Sequence, residues 1–210
     1  MSTNPAPPCS PDAPSACRER VIEAACKAFM SDGFRGASVD RIAAAAGVAK
    51  QTLYNHFPSK DLLFAETMRS GVRSILVNLD VTAGDLRTRL LAFGRAFRAA
   101  LLSPEGLAWF RNIVTEAPRL PELGRIAFEE GPRQAAIQLS IFLAAAMERG
   151  ELRRDDPVFA AEMLNGMLLN LDRSRGLFAA EQNHLSDPVR VERIIDTFLR
   201  AYAPEAPHAE

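Results

Sequence analysis

Between residues 50 and 56 the chain places Lys50, Gln51, Thr52, Tyr54, Asn55 and His56 around a single leucine, Leu53. These are hydrogen-bonding groups of different reach gathered on one short segment. The amides and hydroxyl of Gln, Asn and Thr match the donor and acceptor edges of bases in a DNA major groove, whereas Lys, Tyr and His more often hold phosphate oxygens. Lys60 belongs to the same set. Ser59 reads as the N-cap of a following helix, and a lysine just after it sits against the positive end of the helix dipole, which is mildly unfavourable. A phosphate there would satisfy both the lysine and the free N–H groups of the helix start. Any one of these residues is as readily a solvated side chain on a helical corner. The ordered set carries the reading.

The elements that must position these groups follow from local chemistry. Ser38 is placed to cap a helix through its hydroxyl, and Asp40 in the first turn suits the helix dipole. Ile42 and the alanines at 43–46 favour helix. Gly47 stops it, because glycine reaches the left-handed conformation of a helix C-terminus without a Cβ clash. Val48, Leu53 and Phe57, with Ile42, line the inner side of a two-helix corner. Pro58 limits the second helix to about two turns. A helix that short is unstable alone, so its use lies in what its outer face presents. This is the outline of a helix-turn-helix.

Residues 47–64, Gly-Val-Ala-Lys-Gln-Thr-Leu-Tyr-Asn-His-Phe-Pro-Ser-Lys-Asp-Leu-Leu-Phe, resemble the recognition-helix signature of TetR-type transcriptional regulators. The likeness extends upstream through Ile22, Ala25, Phe29, Gly33, Phe34, Ser38, Val39, Ile42 and Ala43. It implies that Gln51 and Thr52 contact bases and that Tyr54, His56 and Lys60 contact phosphates, with Ser38 and Lys50 as further candidates; Asn55 joins the DNA-contact set on its amide chemistry. Ala49 stands where the family often has Ser or Thr, so a side-chain cap on the recognition helix is missing. The stretch from Arg111 through residues 116–123 to residues 150–153 is similar, more weakly, to the C-terminal region of AefR-like regulators.

With 48% hydrophobic and 24% charged residues in 210, the chain can hold one larger core and a small satellite domain. The net charge is −1, so it is no polycation that binds nucleic acid by bulk attraction. Residues 15–64 carry a net +2 and the rest −3, which permits DNA binding without requiring it. The three cysteines, Cys9, Cys17 and Cys26, imply neither a disulfide framework nor a metal site, which fits a reducing cytoplasm. A redox role is open for Cys9 and Cys17; Cys26 reads as a buried small hydrophobe. Residues 1–14 contain five prolines and no signal-peptide run, and read as a disordered arm, with Arg18 and Arg20 beyond it placed to touch DNA. No membrane span is expected. No cofactor or metal is expected either. There is no glycine-rich phosphate loop or Gly-x-Ser-x-Gly elbow, and His56, His184 and His208 have no zinc-site spacing.

Beyond residue 64 the pattern stays helical. Ser103-Pro104, Asp156-Pro157 and Asp187-Pro188 share one grammar, a capping side chain followed by proline at the first helical position. Helices are predicted near 59–80, 85–102, 104–116, 121–130, 132–149, 156–180 and 187–203. With three upstream, this is an all-α fold of roughly nine to ten helices. The expected domains are a helix-turn-helix domain at 15–60, a ligand-binding and dimerisation bundle at 61–204, and a disordered tail at 205–210.

The resemblance implies a small-molecule pocket in that bundle. Phe93, Phe97, Trp109, Phe110, Ile113, Phe142, Met163 and Met167 are its candidate lining, with Asn112, Gln138 and Asn165 as orienting groups; the same stripes are as readily ordinary core. The ligand would be apolar or aromatic. Two apolar helices near the C-terminus point to a homodimer through Leu164, Leu168, Leu171, Ile194, Ile195 and Phe198. A dimer would place two short helices in successive major grooves of a palindrome. The sequence is therefore read as a dimeric DNA-binding regulator, a repressor released by ligand. A helical lipid carrier, or an enzyme with a dispersed site, is the alternative.

Overall fold

The computed structural model describes residues 14–81, 84–169, 171–179 and 187–204. The expected arm, apart from Pro14, lies outside them, as do the expected tail and Cys9, His184 and His208. Among the described residues there is no strand, and no helix is long and apolar enough to cross a membrane. The helices are α1 (Pro14–Gly36), α2 (Val39–Ala46), α3 (Lys50–His56), α4 (Lys60–Val81), α5 (Leu86–Leu101) and α6 (Pro104–Glu116), followed by α7 (Pro121–Phe128), α8 (Gln134–Glu148), α9 (Pro157–Leu169), α10 (Asp172–Leu177) and α11 (Pro188–Ala201).

The capping grammar holds at all three places. Ser103 Oγ accepts from the Gly106 N–H at 2.9 Å, Asp156 Oδ1 from Val158 at 2.9 Å and Asp187 Oδ1 from Val189 at 2.9 Å. Each such cap is worth about 1 kcal/mol. Two expected boundaries change. Gly131-Pro132 does not end a helix, because Glu129–Arg133 forms a π-helical turn that joins α7 to α8 without a break. The wider turn moves the preceding carbonyls out of the α-helical register in which a proline ring would strike one. The helix expected at 156–180 is instead α9 and α10, parted after Leu169.

The chain groups into two compact units. The first holds the described residues up to Gly71 together with Ala108–Gly131. Its core is built from Val21, Ile22, Ala25 and Phe29 of α1, Ile42 of α2, Leu53 and Phe57 around α3, Leu63 and Phe64 of α4, and Leu123 and Ile126 of α7. The unit thus runs past residue 60, because the apolar start of α4 and a stripe of α7 bury in the same core as the helix-turn-helix.

The second unit holds the described residues of Val72–Leu107 and of the chain from Pro132. In it α8 packs on α9, and α11 packs on both α5 and α9. Leu90, Phe93 and Phe97, Leu139 and Leu143, Leu164 and Leu168, and Ile195 and Phe198 fill the centre. A buried ion cluster crosses this apolar interior. Asp172, fully buried, accepts from Arg98 Nη2 at 2.9 Å and Arg175 Nη1 at 2.7 Å, with Arg190 Nε at 2.7 Å, while Arg98 Nη1 donates to the Leu168 carbonyl at 2.5 Å. Burial alone would raise the Asp172 carboxyl, but the hydrogen bonds from Arg98 and Arg175 and the nearby charges outweigh it and hold the group below its ordinary range.

Candidate nucleic-acid interface

Helices α2 and α3 are set by the turn between them. Gly47 has φ 65° and ψ 38°, its N–H reaches the Ala44 carbonyl at 3.1 Å, and the Val48 N–H reaches Ala43 at 3.0 Å. Ser38 occupies the N-cap position of α2 with extended backbone, but its side chain makes no cap bond. The expected hydroxyl cap is therefore not made, and the first turn of α2 has only Asp40 as its acidic partner. Ala49 heads α3 with no side-chain cap. Ser59 does cap α4, accepting from the Leu62 N–H at 3.1 Å.

Leu53 is the one buried residue of α3. Around it Lys50, Gln51, Tyr54 and Asn55 are exposed, and Thr52 and His56 are partly so. The structure thus brings the seven groups from Lys50 to Lys60 onto α3 and the start of α4, with Ser38 at the head of α2. Several of these groups have partners within the chain. Gln51 Nε2 donates to Asn55 Oδ1 at 3.1 Å, and Lys50 pairs with Asp40 at 2.8 Å. The hydrogen bond and charge of Asp40 hold the Lys50 amine above its ordinary pKa. Lys60 is half-buried, with Nζ 3.4 Å from the Arg35 carbonyl and 4.8 Å from the Phe34 ring centroid. Burial pushes its amine below the ordinary lysine range, against the opposing charges of Glu116 and Asp61.

The turn under Lys60 is tightly held. Gly33 has φ 70°, and a Cβ there would lie 2.8 Å from Glu116 Oε1. Glu116 Oε2 is buried with no hydrogen-bond partner. Phe29, Phe34 and Phe64 form a ring cluster with centroids 5.3–5.8 Å apart, and Trp109 joins Phe64 at 5.5 Å.

Arg18, expected just beyond the arm and placed to touch DNA, has its guanidinium paired with Glu66 at 3.0 Å and 5.3 Å from the Phe57 ring centroid. The candidate pocket and interface residues are distributed differently from expectation. Trp109 and Ile113 pack against the core of the first unit, apart from Phe93, Phe97, Phe142 and Met167, which share the core of the second. Phe110 is half-buried, and Met163 is 44% exposed, on the surface rather than inside a pocket. Leu164, Leu168, Ile195 and Phe198, expected at a subunit interface, are buried within the chain's own core. Leu171 is 59% exposed and Ile194 partly so. Cys17 is buried, and burial raises the Cys26 thiol.

Sequence reasoning missed the partners. Asp40, Glu66 and Glu116 lie outside any linear pattern that contains Lys50, Arg18 or Lys60, and only the helical spacing of Gln51 and Asn55 announced a pair.

Comparison with known proteins agrees with this geometry. Residues 21–67 match the family described as bacterial regulatory proteins, tetR family, and residues 88–204 match the AefR-like transcriptional repressor C-terminal domain. The HTH-type transcriptional repressor SCO4008 of Streptomyces coelicolor is 29% identical over 126 residues, 60% of this chain and 55% of that protein. The chain thus spans little more than half the length of that relative. A TetR-family transcriptional regulator from Mesorhizobium loti is 29% identical, with a TM-score of 0.69 over 90% of this chain and 98% of the other. The flavonoid-responsive regulator FrrA is 31% identical, with a TM-score of 0.66 over 90% and 98%.

Proposed function

The chain belongs to the tetR family of bacterial regulatory proteins, with an AefR-like C-terminal domain, and on that premise we propose that it represses transcription as a dimer bound to a palindromic operator and is released by a small apolar or aromatic ligand. By family it is a regulator and not an enzyme. The observation that carries the DNA reading is α3 itself: a seven-residue helix with Leu53 its one buried side chain, offering amides, a hydroxyl and a phenol outward. Gln51, Thr52 and Asn55 take the base edges in this reading, and Ser38, Lys50, Tyr54, His56 and Lys60 take phosphates.

One short helix reads too few base pairs to select a site in a genome; two copies about 34–36 Å apart read successive major grooves. The dimer face falls on Phe159, Met163 and Leu171 with Val189 and Ile194. Its support is the exposed apolar surface of Phe159, Met163, Leu171 and Val189, the partial exposure of Ile194, and Gly166, around which a Cβ would meet nothing within 4 Å. A symmetric second copy would bury that surface.

For the ligand, support comes from Phe93, Phe97, Phe142 and Met167 in one cluster, and from Asn165 Oδ1, buried without a hydrogen-bond partner. An aromatic molecule bearing a hydroxyl would satisfy it. The flavonoid response of FrrA is of the same chemical class. Release requires that the ligand bind the operator-incompetent state more tightly, with a shift of α4 behind Phe57 altering half-site spacing.

The test is selection of bound sites from random duplex DNA at about 0.15 M salt, followed by titration of the enriched operator with aromatic ligands. An enriched palindrome supports the reading. No enrichment by the folded chain overturns it, and an operator affinity that no ligand changes removes the induction half alone.

A further inference from the structure

The recognition helix ends on Phe57, and what holds Phe57 is not confined to its neighbours in sequence. The Arg18 guanidinium lies 5.3 Å from the Phe57 ring centroid and pairs with Glu66 Oε2 at 3.0 Å. The Glu66 side chain is 8% exposed and takes a second guanidinium, Arg69 Nη1, at 3.1 Å. Arg69 then turns to Glu130: Nε reaches Oε2 at 2.7 Å and Nη2 reaches Oε1 at 2.6 Å, a two-pronged fork. Glu130 lies in the π-helical turn Glu129–Arg133. Beside it Gly131 is buried, and a Cβ there would stand 2.7 Å from Met68 Cε, so the turn is pressed close to α4 as well as forked to it.

Each link constrains the next. A nearly buried carboxylate between two guanidiniums holds both, since moving either leaves charge uncompensated in a poorly solvated place. The fork is planar and directional, which a lysine would not reproduce. The hydrogen bonds of Glu130 and of Glu66 keep the Arg69 guanidinium above its ordinary pKa, so it stays charged.

We propose that Arg18, Glu66, Arg69 and Glu130 act as one positioning relay for the recognition helix, so that Glu130, in the π-helical turn, tunes operator affinity without touching DNA. The proposal rests on α3 being the DNA-reading helix. A π-turn has a nearby alternative, the α-helical register, and passing to it rotates a side chain about its axis by a fraction of a turn. That rotation would pull the Glu130 carboxylate from the Arg69 fork, and Glu66 and Arg18 would rearrange over Phe57. The relay gives the turn two discrete states that the reader can feel, which is the physical requirement for coupling at a distance.

The test uses the full chain with Arg18→Gln, Glu130→Gln and the double variant. Operator affinity is measured over a salt series, and amide hydrogen exchange is read at residues 51–57. Each single substitution is expected to weaken operator binding about 3- to 30-fold, to leave the salt slope at the parental value, and to speed exchange in α3. The double variant is expected to be no worse than the poorer single. A slope shallower by about one for Arg18→Gln would mean that Arg18 holds a phosphate and would overturn the relay. Unchanged affinity and exchange in Glu130→Gln, or losses that simply multiply in the double variant, would overturn it too. If Glu130→Gln folds poorly, Arg69→Lys keeps the charge, loses the fork, and gives the same readouts. Should the parent bind no DNA selectively, the exchange comparison still decides the relay, and the DNA reading fails on its own.

Discussion

Gln51 and Asn55 face each other one turn apart on α3, the Nε2 of Gln51 donating to the Oδ1 of Asn55 at 3.1 Å. The bond orders both amides before any base arrives, at a gain of about 0.2–0.5 kcal/mol to the helix. It leaves Gln51 Oε1 and Asn55 Nδ2 for other partners, one acceptor and one donor, which is the complement of an adenine edge. Gln51→Ala is therefore expected to relax selection at one base-pair position by about 1–3 kcal/mol. Asn55→Ala should relax the same position, because it frees Gln51 to wander. Base-by-base binding to operator variants checks both; relaxation at two different positions would mean the amides act separately.

Lys60→Ala should weaken binding to every sequence alike and make the salt dependence shallower by about 0.9 in log–log slope, as expected for one lost phosphate contact. Asp40→Asn should do the reverse. It frees Lys50 from its 2.8 Å pair, so non-operator DNA is bound more tightly and the slope steepens. Titrations with operator and scrambled duplex across a salt series read both effects.

The Asp172 cluster makes a stability prediction. Replacing the fully buried carboxylate by Asn strands Arg98, itself 2% exposed, and is expected to cost about 3–5 kcal/mol near neutral pH. Because the folded pKa of Asp172 is depressed, its contribution is complete above the unfolded value of about 3.9 and is lost as pH falls through the folded pKa. Urea unfolding from neutral pH downward should show the gap between parent and Asp172→Asn closing only below that unfolded value.

Surface and core can be separated on a single helix. Met163→Glu, on exposed surface, should leave the chain helical and folded while abolishing self-association and operator binding in sedimentation and binding measurements. Leu168→Glu buries a charge in the centre of the second unit and should unfold it. If Met163→Glu stays dimeric, the dimer lies on another face.

What the sequence made legible was local. Gly47, the caps at Ser103, Asp156 and Asp187, and the polar face of α3 each depend on residues within a few positions of one another. The apolar stripes told that Phe93 and Trp109 would be covered, but not that different cores would cover them, since periodicity gives a face and not its neighbour. The same limit left Leu164 and Ile195, read as interface residues, indistinguishable from the core in which the structure buries them. Arg98 and Asp172 are 74 positions apart and Arg69 and Glu130 are 61, so no window of helical spacing contains either pair. The π-turn was hidden for another reason: Gly-Pro ordinarily ends a helix, and here the ring is accommodated by a change of hydrogen-bond register.

Gly33 bears two unrelated restrictions. Its φ of 70° penalises any L side chain, and Glu116 Oε1 stands 2.8 Å from where a Cβ would be. Shortening Glu116 lifts the second and leaves the first; relaxing the backbone at 33–36 lifts the first and leaves the second. Glu116 Oε1 is the end of a flexible side chain and can move aside, so Gly33→Ala is expected to cost chiefly the backbone strain that Gly150→Ala, with φ 73° and open space around it, carries as well, and urea unfolding of the two variants should show similar losses. The turn beneath Lys60 is thus held by its backbone conformation more than by the carboxylate packed over it.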